Sequence, residues 1–208
     1  MSKIAVVYHS ASGHTKVQAE AVRDGAAEVE STEVRLIAVD ELTVDERGEA
    51  RPAWQYLDDA DAIVFGSPTY MAGPSAAFKA FMDATSGRWA EQAWADKLAA
   101  GFTNSAGYSG DKLNTLEAFS LLAMQHSMVW VGLGLMPGNI TAQGSPEDLN
   151  RLAGFLGAMA QSNADVGPDA APAGSDLRTA AHLGRRVAEA AARWTAGALV
   201  GAVAGAAS

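Results

Sequence analysis

KIAVVYHSASGHT, residues 3–15, is the stretch from which the fold can be read. Residues 4–8, IAVVY, are continuously apolar instead of alternating, the pattern of a strand covered on both faces in a parallel sheet. The strand leaves through two serines, a glycine, a histidine and a threonine, and a helical pattern begins at Thr15. A strand that turns directly into a helix opens a β-α-β unit. The turn HSASGHT brings three hydroxyls (Ser10, Ser12, Thr15) and the permissive Gly13 to a helix start whose first N–H groups have no intrahelical partner. Side-chain donors and helix N–H groups then converge on one point, a nest for a phosphate. The same composition also suits a plain capped turn.

The rhythm continues along the chain. Further apolar, β-rich runs are EVRLIAV (33–39), DAIVFG (61–66), KLAAGFTNS (97–105) and MVWVGL (128–133). Between them lie helical patterns over residues 15–28, 54–59, 75–85 and 113–125, which predicts a doubly wound α/β sheet of five strands. After the fifth run, SPEDLNRLAGFLGAM reads as a helix start, with Ser145 as cap and Pro146 in the first turn, and predicts an extra helix over 145–161. A turn-rich linker, NADVGPDAAPAG, leads to the closing helix over 176–193. The organisation expected is one domain over 1–194, with 137–175 as an inserted loop and helix, and 195–208 as an apolar tail. That tail, TAGALVGAVAGAAS, is shorter than the roughly 20 residues of a spanning helix.

Composition narrows the function. With 24 acidic and 15 basic side chains the formal net charge is −9, which argues against nucleic acid as a partner. The absence of cysteine excludes thiolate catalysis and cysteine-ligated metal, and no metal site is expected; a cytoplasmic setting is compatible with it. The N-terminus shows no signal-peptide pattern and reads as mature. Neither G-x-G-x-x-G nor G-x-x-x-x-G-K-[ST] follows the first strand, and GLGLMPG does not open a helix, so dinucleotide and triphosphate loops are set aside.

In an open parallel sheet the ligand crevice lies at the carboxyl ends of the strands. Two more loops leave strand ends there: SPTYMAGPS from Ser67 and NSAGYSGD from Asn104. The second places Pro68, Thr69, Tyr70 and Met71 where an aromatic ring and backbone amides could flank a planar heterocycle; an ordinary turn with an exposed tyrosine would look the same. The third, Asn104, Ser105, Ala106, Gly107, Tyr108, Ser109 and Gly110, carries two glycines that permit close backbone approach and a tyrosine available to stack, or is a plain strand-to-helix connection. Together the three loops fit a flavin mononucleotide (FMN).

HSASGHT, GSPTYMAGP and NSAGYSG resemble the three flavin loops of the flavodoxin-like NAD(P)H:quinone oxidoreductases called Trp-repressor-binding-protein-like, or WrbA-like. The resemblance covers residues 1–135 in order. It implies a flavodoxin-like three-layer α/β/α fold with strand order 2-1-3-4-5. It places Ser10, Ala11, Ser12, Gly13, His14 and Thr15 around the FMN phosphate, Thr69, Tyr70 and Met71 beside the isoalloxazine, and Ser105 to Gly110 against its pyrimidine end and ribityl chain. It further assigns His126 to a histidine near the pyrimidine carbonyl and Trp89 to an aromatic at the substrate pocket, presented to a neighbouring subunit's flavin. From the residues alone, His126 can equally satisfy a helix end, and Trp89 can be ordinary packing. Two departures stand out: Tyr70-Met71 replaces the usual arginine and phenylalanine, and Gly-Tyr-Ser-Gly replaces a run of glycines.

The resemblance implies hydride transfer from NADH or NADPH through bound FMN to a quinone-like acceptor, with no catalytic side chain, in a homo-oligomer, a dimer or tetramer, that does not span a membrane. Two other readings stay open: a one-electron carrier of flavodoxin type, which strong acidity suits because such carriers dock on basic partners, and a flavin-binding protein with a regulatory role.

Overall fold

The structure, a computed structural model, describes residues 1–42 and 52–205, with side chains described as far as 197. The predicted strands form a parallel core. In chain order the elements are β1 (Ser2–Tyr8), α1 (His14–Ala27), β2 (Thr32–Ala38), a 3-10 turn (Val39–Leu42), α2 (Pro52–Asp59), β3 (Ala62–Tyr70), β4 (Gly73–Pro74), α3 (Ala76–Ala84), α4 (Ser86–Ala90), β5 (Leu98–Ser105), α5 (Lys112–Gln125), β6 (Val129–Trp130), β7 (Ala158–Gln161) and α6 (Gly174–Gly205). The sheet runs β2-β1-β3-β5-β6, which is the expected 2-1-3-4-5 order once the two-residue β4, hairpinned onto β3, is counted.

Alternation along the strands separates two cores. Ala5, Val7, Ile63, Phe65 and Ala99 face one way, against Trp54 and Leu57 of α2, Phe78 and Phe81 of α3 and Leu116 and Phe119 of α5. Ile4, Val6, Ala62, Val64, Ala100 and Phe102 face the other, against Ala19 and Val22 of α1 and Ala180, Leu183 and Val187 of α6. The result is the expected three-layer α/β/α sandwich. The first core is aromatic: the Phe78 and Phe119 rings lie 4.9 Å apart between centroids, and Phe78 and Phe81 meet edge-on at 5.3 Å.

The two helices that cover the second core touch backbone to backbone. A Cβ on Gly25 would overlap the Ala181 carbonyl, and one on Gly184 would overlap the Val22 carbonyl and reach Ala26 N at 3.0 Å. Gly184→Ala should therefore force α1 and α6 apart, at a cost of about 2–3 kcal/mol and a thermal midpoint lower by about 5–10 °C. Circular dichroism melting of the variant checks this, and an unchanged midpoint would mean that the helices are not held at this distance.

The fifth position of the sheet departs from expectation. Only Val129–Trp130 pair with Leu98–Ala99, and the outer side of Phe102–Ser105 is taken by Ala158–Gln161. One strand slot is thus filled by two pieces, with residues 131–157 leaving and returning between them. The extra helix expected over 145–161 does not form: 145–153 is a chain of turns and 158–161 is strand. Local bonds stop the helix. Asp148 accepts from Ser145 N at 2.8 Å, and Asn150 (φ 50°) and Ala153 (φ 55°) are in the left-handed region. Asn150 accepts from Gly154 N at 2.9 Å and donates to the Leu135 carbonyl at 3.1 Å, so its amide holds a turn where a helix would need backbone bonds.

The closing helix is longer than expected. α6 continues to Gly205, so residues 195–205 of the predicted tail prolong that helix, and 206–208 lie outside the described residues. Among the described residues no helix is long and apolar enough to cross a membrane.

Candidate functional site

The first loop is built as a cradle. Gly13 (φ 90°) is the N-cap of α1, and no side chain caps that end. The leading N–H groups of α1 are therefore left for an external acceptor. Ser10 Oγ is buried with no partner among the described residues, and Thr15 is buried at the first turn. An orphaned buried hydroxyl beside open helix N–H groups fits an anionic oxygen cluster, and a phosphate supplies several acceptors at once. His14, which the resemblance places around the phosphate, contacts the Val166 carbonyl through Nε2 at 2.9 Å.

The second loop is a tight hairpin. Thr69 pairs with Pro74 and Tyr70 with Gly73, and the two residues between, Met71 (φ 45°) and Ala72 (φ 66°), both take positive φ, as a two-residue hairpin turn demands. Neither is glycine, so the tip is strained. Asn114 of α5 donates to the Ala72 carbonyl and pins it. Behind the tip, the Thr69 hydroxyl lies 2.8 Å from those of both Thr103 and Thr115. The loop therefore presents a half-exposed Tyr70 on a fixed base, while Met71 is wholly exposed.

The third loop is fastened from three sides. Asn104 Oδ1 accepts from Ser162 Oγ at 3.0 Å, Gln161 donates to the Ala106 carbonyl at 2.8 Å, and Lys112 donates to Ser105 Oγ at 2.7 Å and to the Gly107 carbonyl at 2.6 Å. Tyr108 stands out from it, 70 % exposed, with the Arg151 guanidinium 5.8 Å from its ring centre. Arg151 is itself paired through two 2.7 Å bonds with Asp176, and both side chains are buried.

These loops meet at one cavity of about 320 Å³. It is lined by Ser10, Ala11, Ser12, His14 and Thr15 from the first loop, Pro68, Thr69 and Tyr70 from the second, and Asn104, Ser105 and Ala106 from the third. Gly13 lies within the first loop, and its Cα hydrogen side is covered by Pro168, which a Cβ would meet at 2.8 Å. Gly107, Tyr108, Ser109, Gly110 and Met71 are on the same loops but outside that lining. A fourth wall went unread in the sequence: Ser162, together with Ala164 and Val166 of what looked like a linker. Lys112 was also missed. A lysine in the first turn of a helix opposes the helix dipole, and that conflict was the available signal.

Two expected residues are elsewhere. α5 starts beside the third loop and runs for 14 residues, about 21 Å, before His126. His126 thus sits at the opposite, amino-terminal end of the sheet. Its Nε2 is 2.9 Å from Thr85 Oγ1, its ring packs on Trp94 at 4.7 Å, and burial, with Arg88 nearby, lowers its pKa. It does not meet the three loops of its own chain. Trp89, on α4 immediately after Thr85, shares that end and is half exposed.

His126→Leu should leave FMN affinity unchanged and lower the thermal midpoint. A depressed folded-state pKa makes the neutral ring's contribution complete above pH 6.5, and it is lost as the pH falls below that value. The wild-type advantage over His126→Leu should shrink on going from pH 7.5 to about pH 5, which parallel melts will show.

A flavodoxin-fold sandwich with an uncapped helix start and two tyrosine-bearing loops at one cavity defines the class: a flavin-binding α/β protein. The chain belongs to the NADPH-dependent FMN reductase family, whose model matches residues 2–139. It is 43 % identical over 188 residues to a Pseudomonas aeruginosa protein, "Flavodoxin FldP", with 90 % of this chain and 96 % of that one covered. It is 31 % identical to an "NAD(P)H dehydrogenase (quinone)" of Geotalea uraniireducens, over 92 % of this chain and 98 % of that one. Among solved structures, a "flavodoxin, WrbA-like protein" from Agrobacterium tumefaciens is similar at 40 % identity and a TM-score of 0.68, with 93 % and 99 % covered. The WrbA-like resemblance is borne out, and with it an NAD(P)H-dependent flavin oxidoreductase with FMN as cofactor.

Proposed function

We propose that the chain passes two electrons from NADH or NADPH, through FMN held in the three-loop cavity, to a quinone or similar planar acceptor. The observation that carries this reading is a second space. Beyond the cofactor cavity, an open cleft of about 1160 Å³ begins at Tyr108 and Ser109 and runs between the start of α5 and residues 151–156. A carrier needs only an exposed flavin edge, whereas an enzyme needs room for a second reactant.

When bound, FMN supplies the redox chemistry, accepting a hydride from the nicotinamide and returning electrons to the acceptor. The chain's part is position. Ser10, Thr15 and the N–H groups of α1 would hold the phosphate. Tyr70 and Tyr108 would flank the ring and exclude water from its exposed side. No side chain is required as a nucleophile. Trp89, being far from its own chain's site, would serve a substrate pocket only across subunits, so this role goes with a homo-oligomer. A cytoplasmic setting fits a chain without cysteine.

The 43 % identity to a flavodoxin and the net charge of −9 favour a second reading, a one-electron carrier docking on basic partners. One cuvette separates the two. The purified yellow protein should oxidise NADH or NADPH when benzoquinone is present. No nicotinamide oxidation, with reduction only by a partner reductase, would favour the carrier.

A further inference from the structure

Lys112 is wholly buried, yet among the described residues it forms no ion pair. Both of its hydrogen-bond partners, Ser105 Oγ and the Gly107 carbonyl, are neutral. The nearby carboxylate, Asp176, is committed to Arg151. The ammonium also stands in the first turn of α5, where the helix dipole already presents positive charge. Burial, dipole and lack of a counter-ion all act against it, and burial pushes its pKa down to about 8. A hydrophobic side chain of similar length would fill the space at less cost.

The position supplies a reason for the charge. Ser105 lines the cofactor cavity, and Lys112 stands one hydrogen bond behind it. Two-electron reduction of a flavin with uptake of one proton leaves the ring with one more negative charge than before. We infer that Lys112 is the buried counter-charge of this site: it fixes the third loop through Ser105 and Gly107, and it favours reduced FMN over oxidised FMN. It is a positioning residue that acts through the loop and through its field. This rests on the flavin reading of the three-loop cavity but not on the identity of donor or acceptor. The segment HSASGHT holds no lysine or arginine, and Lys112, one hydrogen bond behind Ser105, is the cation that the third loop brings to this cavity.

The test separates the loop contact from the charge. FMN affinity is measured by fluorescence titration, and the midpoint potential by dithionite titration of the holo-protein, without nicotinamide or quinone. Lys112→Met should weaken both redox states through the loop and weaken reduced FMN by about tenfold more, a potential lower by about 30 mV for a two-electron couple. Lys112→Arg should restore most of the potential, and Ser105→Ala should weaken both states equally with the potential unchanged. The charges facing the ammonium are Asp176 at the start of α6 and Arg151 from the 131–157 excursion, both locked in their own pair. Wild-type and Lys112→Met potentials should therefore converge as the pH rises above about 8. Equal weakening of both states in Lys112→Met would overturn the counter-charge and leave a loop fastener only. A normal potential shift in a protein that turns over no quinone would instead sink the proposed activity and leave this inference standing.

Discussion

Asp176→Ala should unfold about 10 °C below the wild-type protein in a thermal melt. Asp176 accepts two 2.7 Å bonds from Arg151 and a third, at 2.9 Å, from Gln161 N, in a place where both charged side chains are almost without solvent. Removing the carboxylate leaves a buried guanidinium with no counter-charge, which costs about 3–5 kcal/mol. The loss should spread to the site, because Gln161 also holds the Ala106 carbonyl and Arg151 lies over Tyr108. FMN should bind the variant more weakly even at temperatures where it is folded. The double variant Arg151→Met/Asp176→Leu should recover part of the midpoint, since it buries no unpaired charge and leaves only the Gln161 N–H without its acceptor. A single variant that melts within two or three degrees of wild type would show that the pair is not structural.

Ser10→Ala/Thr15→Ala should lose FMN almost completely. A hydroxyl bonded to a charged acceptor contributes about 1.5–3 kcal/mol, so each loss should weaken binding by about 10- to 100-fold, and both by about 10³-fold. Ser10 Oγ is buried with no partner among the described residues, so its removal sacrifices no bond within the chain and folding should be unaffected. The melt of the cofactor-free variant should match that of cofactor-free wild type, while fluorescence titration shows the loss. Flavin retained at full occupancy would show that the phosphate is not held by this loop.

The fold was legible because several of the core strands are continuous apolar runs. IAVVY and DAIVFG are buried on both faces, so their hydrophobicity alone marks them, and tertiary context had nothing to override. The cavity-lining residues of the three loops were legible because hydroxyls, glycine and tyrosine concentrate at strand ends. The excursion was not. SPEDLNRLAG has good helix-start chemistry, but the open side of Phe102–Ser105 takes up residues 158–161, and Asn150 spends its amide on a turn. Local preference lost to a long-range ladder. His126 was misplaced for another reason: a residue between the end of a helix and the next strand lies at the amino-terminal end of the sheet, away from the strand ends that carry the three loops. Lys112 could be seen only as an oddity of sequence, because its burial depends on the third loop folding back over the start of α5 through Ser105 and Gly107.

The divided fifth strand also bears on association. A long straight edge invites a foreign strand to add to it, and proteins blunt such edges by shortening or interrupting them. Here the rim beyond β5 is a two-residue piece and a four-residue piece, separated by chain that leaves the plane of the sheet. Neither offers a register long enough to template pairing. Copies of this molecule that meet on that side must do so through helices and loops, and the rim stays closed to fibrous growth.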